Sequence, residues 1–234
     1  EKPYTGKSYY PNKTPKATYA AMISYLDEQV GDLIQKLKEI GQYENTLIIF
    51  TSDNGPTYTG GADTPFFDSA KPFKAEYGWA KGFVHEGGIR VPMIAVWPGN
   101  IKPGSKSNLL SAFQDMMPTF AEVAGATVPL DIDGISLLPT LKGKEQSDTH
   151  TYLYWEFPAY NGQQAVRMGN WKGIRKNIFE GNMTIELYDL ERDNQEQYDI
   201  AQSRPDIVAK IEKIMEKAHT PSQLDRFKFP QLGD

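Results

Sequence analysis

Two short stretches hold the residues whose types and spacing could do chemistry. The first is Ser52-Asp53-Asn54-Gly55. Asp53 offers a carboxylate and Asn54 an amide oxygen at adjacent positions. A pair of oxygen donors with no nitrogen or sulfur ligand beside it suits Ca2+ or Mg2+ better than Zn2+. It is about half a site, because calcium takes roughly six to eight oxygens. The second stretch is Lys81-Gly82-Phe83-Val84-His85-Glu86-Gly87-Gly88-Ile89-Arg90. The ammonium of Lys81 is a compact charge suited to a tetrahedral oxyanion. Each stretch also has a plainer reading: an Asx turn closing a strand, and a lysine solvated in a loop. Gly87 and Gly88 are expected to permit a tight backbone path rather than to bind an anion. Arg90 is expected to pair with Glu86.

The elements around these stretches must position them. Leu47 to Phe50 is a short apolar run, expected to be a strand buried on both faces. Its C-terminal end delivers Asp53 and Asn54, which is where sites in open α/β sheets lie. Before it, Thr14-Pro15 opens a helix, with Tyr19, Met22, Ile23, Leu26, Val30, Leu33, Ile34 and Leu37 at helical spacing. That stripe is expected to be core packing, and Gly41 ends the run. Helix followed by strand fits an α/β unit.

Thr57 to Trp79 is a long loop whose Phe66, Phe67, Phe73, Tyr77 and Trp79 either wall a site or pack the loop down. Val91 to Trp97 is expected to be a second buried strand, and Asp115 to Ala124 a short helix. From about Thr149 the pattern changes. Thr151 to Phe157, Gln164 to Met168, Trp171 to Lys176 and Thr184 to Leu190 predict an antiparallel meander, covered by a helix that starts at Pro205. Alternation puts Tyr152, Tyr154 and Glu156 on one face, and Leu153, Trp155 and Phe157 on the other. Aromatic faces and a carboxylate suit a sugar ring and its hydroxyls; they equally suit seating the sheet on its neighbour. His150 and His219 are expected at the surface.

Composition excludes some classes. The chain has 234 residues, a formal net charge of −5 and 39% hydrophobic residues. The acidic balance argues against nucleic acid as a partner. No apolar run approaches a membrane span, so no membrane partner is expected. With no cysteine, these residues contain no disulfide, thiolate metal site or cysteine-derived nucleophile.

Taken in order, Tyr19 to Asp27, Ser52-Asp53-Asn54-Gly55, Lys81-Gly82, Glu86-Gly87-Gly88-Ile89-Arg90-Val91-Pro92, Asp115-Met-Met-Pro-Thr119, Asp133-Gly134-Ile-Ser136 and Glu186-Leu-Tyr-Asp-Leu190 form a longer pattern. It resembles the formylglycine-dependent sulfatase (arylsulfatase) family of the alkaline-phosphatase-like superfamily, over the C-terminal portion of such an enzyme.

The resemblance implies an α/β fold. Residues 1–148 would be part of the alkaline-phosphatase-like α/β sandwich, and 149–234 a smaller domain of a four-stranded antiparallel sheet plus helix. It implies a sulfuric ester hydrolase acting on a sulfated carbohydrate or aryl sulfate. Asp53 and Asn54 would be metal ligands to Ca2+ (or Mg2+). Lys81 would be the catalytic residue contacting the sulfate near the leaving oxygen. His85 and Glu156 join Lys81 as substrate-binding candidates, with packing the other role for His85. In the family, two further aspartates and the formylglycine nucleophile come from an N-terminal part. Its motif, Cys or Ser followed by x-Pro-x-Arg, does not occur in these residues, so the chain alone is expected to be inactive. A periplasmic or secreted setting is implied.

Two alternatives differ in class. One is a phosphoester or phosphonate hydrolase of the same superfamily, whose metal site would be richer in histidine than a chain with 3 His. The other is a noncatalytic fragment that binds an anionic ligand.

Overall fold

The computed structural model describes every residue from Glu1 to Asp234. The elements in chain order are α1 (Pro15–Glu39), β1 (Ile48–Thr51), α2 (Thr64–Phe67), α3 (Glu86–Ile89), β2 (Met93–Val96), α4 (Met116–Ala124), α5 (Leu138–Leu141), β3 (Leu153–Phe157), β4 (Gln163–Met168), β5 (Trp171–Lys176), β6 (Ile185–Asp189) and α6 (Pro205–Ala218). No helix is long and apolar enough to cross a membrane. The chain divides into two compact units: Glu1–Lys16, Ser52–Val91 and Tyr152–Asp234 form one, and Ala17–Thr51 with Pro92–Thr151 the other. The first unit therefore joins the C-terminal sheet to the segments that carry Asp53 and Lys81.

In that unit β3, β4, β5 and β6 pair in sequence order, all antiparallel. Short strands of alternating character joined by turn residues produce this meander. Gly169-Asn170 fits its tightest turn, since Gly169 sits at a φ of 59°, which glycine adopts freely. α6 starts at Pro205, whose missing N–H costs nothing in a first helical turn. Its Ile207, Ile211 and Met215 are buried against Val166, Ile185 and Leu187 of the sheet. The opposite face packs Val84 with Ala165, Ile174, Tyr188, Leu190 and Trp155. The expected alternation along β3 holds, with Tyr152 and Tyr154 on the α6 side and Trp155 on the other.

The second unit departs from expectation. β1 and β2 form a two-stranded antiparallel ribbon, not two strands of a parallel sheet buried on both faces. Phe50 is 41% exposed and Ile94 58%. A two-stranded ribbon joins one edge of each strand and covers neither face by itself. The stripe of α1 is likewise left uncovered by these residues: Met22, Ile23, Leu26 and Leu33 are exposed. Helical spacing shows which face is apolar, but not that anything covers it.

What organises this unit is a buried carboxylate. Asp115 accepts the backbone N–H groups of Ala112 at 2.8 Å and Ile135 at 2.9 Å. It also meets Nε2 of His150 at 2.8 Å. His150, expected at the surface, is instead withdrawn from solvent to complete that carboxylate's hydrogen bonds, as a buried charge requires.

Candidate functional site

The turn after β1 is exposed at Asp53 and half-buried at Asn54. Ser52 Oγ donates to the Asn54 carbonyl at 2.9 Å, and Asn54 Nδ2 donates to the Gly55 carbonyl at 2.9 Å. These bonds set the turn and leave the Asn54 side-chain oxygen free to accept. The Asp53 carboxylate makes no ion pair, and neither does the exposed Lys81 ammonium.

Backbone contacts bring the two stretches together. The N–H of Gly55 donates to the Gly88 carbonyl at 2.8 Å, and that of Lys81 to the Pro56 carbonyl at 3.1 Å. A methyl group at Gly55 would collide with the Gly87 carbonyl, and one at Gly87 with the Lys74 carbonyl. The glycines thus serve close backbone approach, as expected.

The Lys81 loop is anchored at its far end by Glu86, which is 2% exposed. Its Oε1 accepts from Lys172 Nζ at 2.8 Å, and its Oε2 from Arg167 Nη1 at 2.9 Å and Arg90 Nη1 at 3.1 Å. The expected Arg90–Glu86 pair is therefore one arm of a larger cluster. Burial pushes the Glu86 carboxyl up, but Lys172, Arg167 and Arg90 outweigh it and hold the group at about 2. Glu196 Oε2 accepts the Glu86 N–H at 2.7 Å. Burial raises its carboxyl to about 7 against the pull of Lys172.

Gln163 ties the middle of the loop to the start of β4. Its Nε2 donates to the Gly82 carbonyl at 3.0 Å, and its Oε1 accepts from the Val84 N–H at 3.4 Å.

His85 lies inside this scaffold, 1% exposed. Its ring packs on Trp79 with centroids 5.0 Å apart and near Tyr188 at 6.5 Å. Burial first, then the nearby Lys172, lowers its pKa to about 3, so the imidazole is neutral. Of the two roles weighed for His85, this geometry serves packing.

No hydrogen bond or ion pair joins Glu156 to Lys81 or Asp53. It stands on the α6 face, bonded to the Tyr154 hydroxyl, to Gln164 Nε2 at 3.2 Å and to His219 Nδ1 at 2.8 Å. His219 also meets Asp234 Oδ1 at 2.6 Å. His219, expected at the surface, is thus mostly enclosed. Burial would lower its pKa, and the two carboxylates outweigh that and raise it.

Asp53 and Lys81 are thus exposed and Asn54 half-buried, on two stretches that are joined through their backbones. Among these residues no group of three or more His, Cys, Asp or Glu side chains could hold a metal ion. Two free oxygens fit a hard cation only as part of a larger ligand set.

The family model described as Sulfatase matches residues 2–126. The chain belongs to the sulfatase family. A second model, N-sulphoglucosamine sulphohydrolase, C-terminal, matches residues 75–221. This sulfatase chain is 34% identical over 191 residues to the N-acetylglucosamine-6-O-sulfatase of Bacteroides thetaiotaomicron, covering 78% of this chain and 31% of that enzyme. It superposes on Ps i-CgsB in complex with k-i-k-neocarrahexaose with a TM-score of 0.74 and 31% identity, covering 88% of this chain and 44% of that one. The structure of BT4656 in complex with its substrate D-glucosamine-2-N,6-O-disulfate gives a TM-score of 0.69 and 29% identity, over 86% and 39% of the two chains. The sulfatase chain thus spans less than half the length of these relatives. The likeness carries the alkaline-phosphatase-like fold.

Sequence reasoning missed Lys172, Arg167 and Glu196. One signal was present: Lys172 shares strand parity with Ile174, so a charge sat at an inward position of an apolar face.

Proposed function

We propose that the protein containing this chain is a sulfuric ester hydrolase acting on a sulfated carbohydrate or aryl sulfate, with Asp53, Asn54 and Lys81 supplied from this segment. The observation that carries the reading is the interlock of the Asp53 turn with the Lys81 loop, through Gly55 to Gly88 and Lys81 to Pro56, inside the region that matches the sulfatase family.

In this reading Lys81 places its ammonium against the sulfate near the leaving oxygen, where charge develops. Asp53 and the Asn54 side-chain oxygen would hold a cation, calcium or magnesium. When bound, such an ion neutralises charge on the sulfuryl oxygens. The nucleophile, formylglycine in this reading, and further metal ligands come from outside these residues. His85 and Glu156 act behind the rim: His85 supports the Lys81 loop, and Glu156 braces the sheet. A periplasmic or secreted setting belongs to the same proposal.

The test is a sulfate-release assay on the full-length protein and on the 234-residue chain. The chain alone should release none. In the full-length protein Lys81→Ala should lower turnover by about 10²–10³, the usual worth of one oxyanion contact. Robust turnover by the chain alone, or by the Lys81 variant, would overturn the reading.

A further inference from the structure

Four aromatic rings from three stretches of chain converge around the backbone that follows Lys81. Tyr58 and Tyr77 meet edge to face with centroids 5.0 Å apart, Tyr77 and Phe83 at 5.3 Å, and Phe83 and Tyr160 at 4.7 Å. Such clusters usually bury themselves, since each ring carries a large apolar area. This one does not: Tyr77 is 64% exposed and Tyr160 44%.

The cluster is also fixed in place. The hydroxyls of Tyr58 and Tyr160 are 2.8 Å apart. Tyr160 lies so close over Gly82, at a φ of 93°, that a Cβ there would come within 2.5 Å of its Cε2. Gly82 follows Lys81 directly, and Phe83 follows Gly82. Tyr160 and Asn161 both adopt left-handed backbone, with φ of 52° and 65°. For a bulky aromatic residue that is an outlier, and such conformations persist where surrounding structure holds them and gather at ligand sites. Gln163, two residues further on, fastens the same turn to Gly82 and Val84. A half-exposed aromatic wall with hydroxyls on its rim therefore stands against the backbone that directly follows Lys81, a residue that is itself exposed and makes no ion pair.

We propose that Tyr77 and Tyr160, backed by Tyr58 and Phe83, form a subsite that stacks the sugar ring of a sulfated saccharide whose sulfate is held at Lys81. A pyranose offers an apolar C–H face to the rings and equatorial hydroxyls to the phenolic oxygens. Tyrosine, apolar in body and polar at its tip, matches both. A bare inorganic anion would use the lysine and leave the wall untouched. The inference rests on the proposed role of Lys81, and its test separates the two.

Calorimetric titration of the full-length protein would compare four probes: D-glucosamine-2-N,6-O-disulfate, k-i-k-neocarrahexaose, 4-nitrophenyl sulfate and inorganic sulfate. At least one saccharide should bind more tightly than inorganic sulfate. Tyr77→Ala should weaken that saccharide about tenfold, equivalent to about 1.4 kcal/mol, and leave inorganic sulfate unchanged. Tyr160→Asn should do the same, since asparagine tolerates left-handed backbone and removes only the ring. Tyr160→Phe should keep most of the affinity. Lys81→Ala should weaken every sulfated probe. If it does not, the role of Lys81 fails, whatever the tyrosine variants show. The subsite is overturned if no saccharide outbinds inorganic sulfate, or if the tyrosine variants bind saccharides normally. Equal losses for inorganic sulfate would reveal a structural role, and equal losses for 4-nitrophenyl sulfate an aryl platform.

Discussion

Glu86 with Lys172 and the rim of Asp53 with Lys81 are both carboxylate–lysine sets in the same compact unit, and they are built in opposite ways. Lys172 is 0% exposed and 2.8 Å from a carboxylate that also accepts from two arginines. Lys81 and Asp53 are exposed and make no ion pair. Burial explains the difference. A charge taken out of water must be paired and fully hydrogen-bonded. A charge at the surface can stay free at little cost, and a free charge remains available to a ligand. The buried set holds the loop, and the exposed set is the one that the proposed function assigns to the ligand.

Glu86→Gln would break this contrast most sharply, because it removes the carboxylate that Lys172 is hydrogen-bonded to and leaves it only Glu196 Oε1 at 3.6 Å. The expected loss of stability is about 3–5 kcal/mol, the range for removing one partner of a buried ion pair, read from the urea midpoint. Combining it with Lys172→Met should recover about 1–3 kcal/mol relative to the sum of the single losses, since the two groups touch. Strict additivity would show that the pair is not coupled.

Acid sharpens the same point. The Glu86 carboxyl is depressed from 4.5 to about 2 in the folded protein. A depressed carboxyl contributes stability that is complete above its unfolded pKa and is lost as pH falls through the folded one. Stability should therefore drop by about 3 kcal/mol as pH falls through that window, and Glu86→Gln should flatten the drop. An unchanged acid limb in the variant would mean that other carboxylates carry it.

The smallest effect belongs to the rim. Lys81→Ala and Asp53→Ala should each shift the urea midpoint by the equivalent of about 0.5 kcal/mol or less, as exposed substitutions do. A large loss at either position would place it with the buried set and remove the contrast.

The residues of the rim were legible because their signal is local. Ser52 to Gly55 is an abrupt polar turn after an apolar run, and Lys81 to Gly88 is a glycine-rich stretch with one lysine. The Arg90–Glu86 pair was legible too, lying one helical turn apart. Lys172 and Arg167 were not, because they reach Glu86 across 86 and 81 residues. His150 and His219 looked solitary for the same reason: their carboxylate partners lie 35, 63 and 15 residues away.

By itself the sequence determined the meander and the start of α6 at Pro205. Each follows from a period or a backbone preference expressed within a few neighbouring residues. The tertiary structure alone decided which apolar faces are covered. Both α6 and α1 carry apolar stripes; within these residues Ile211 of α6 is 0% exposed and Leu33 of α1 is 60%. It also decided that Tyr160 stands over Gly82, and that Glu86 closes on a lysine from β5. Those outcomes depend on which distant segments the chain topology brings together, and no local period encodes that.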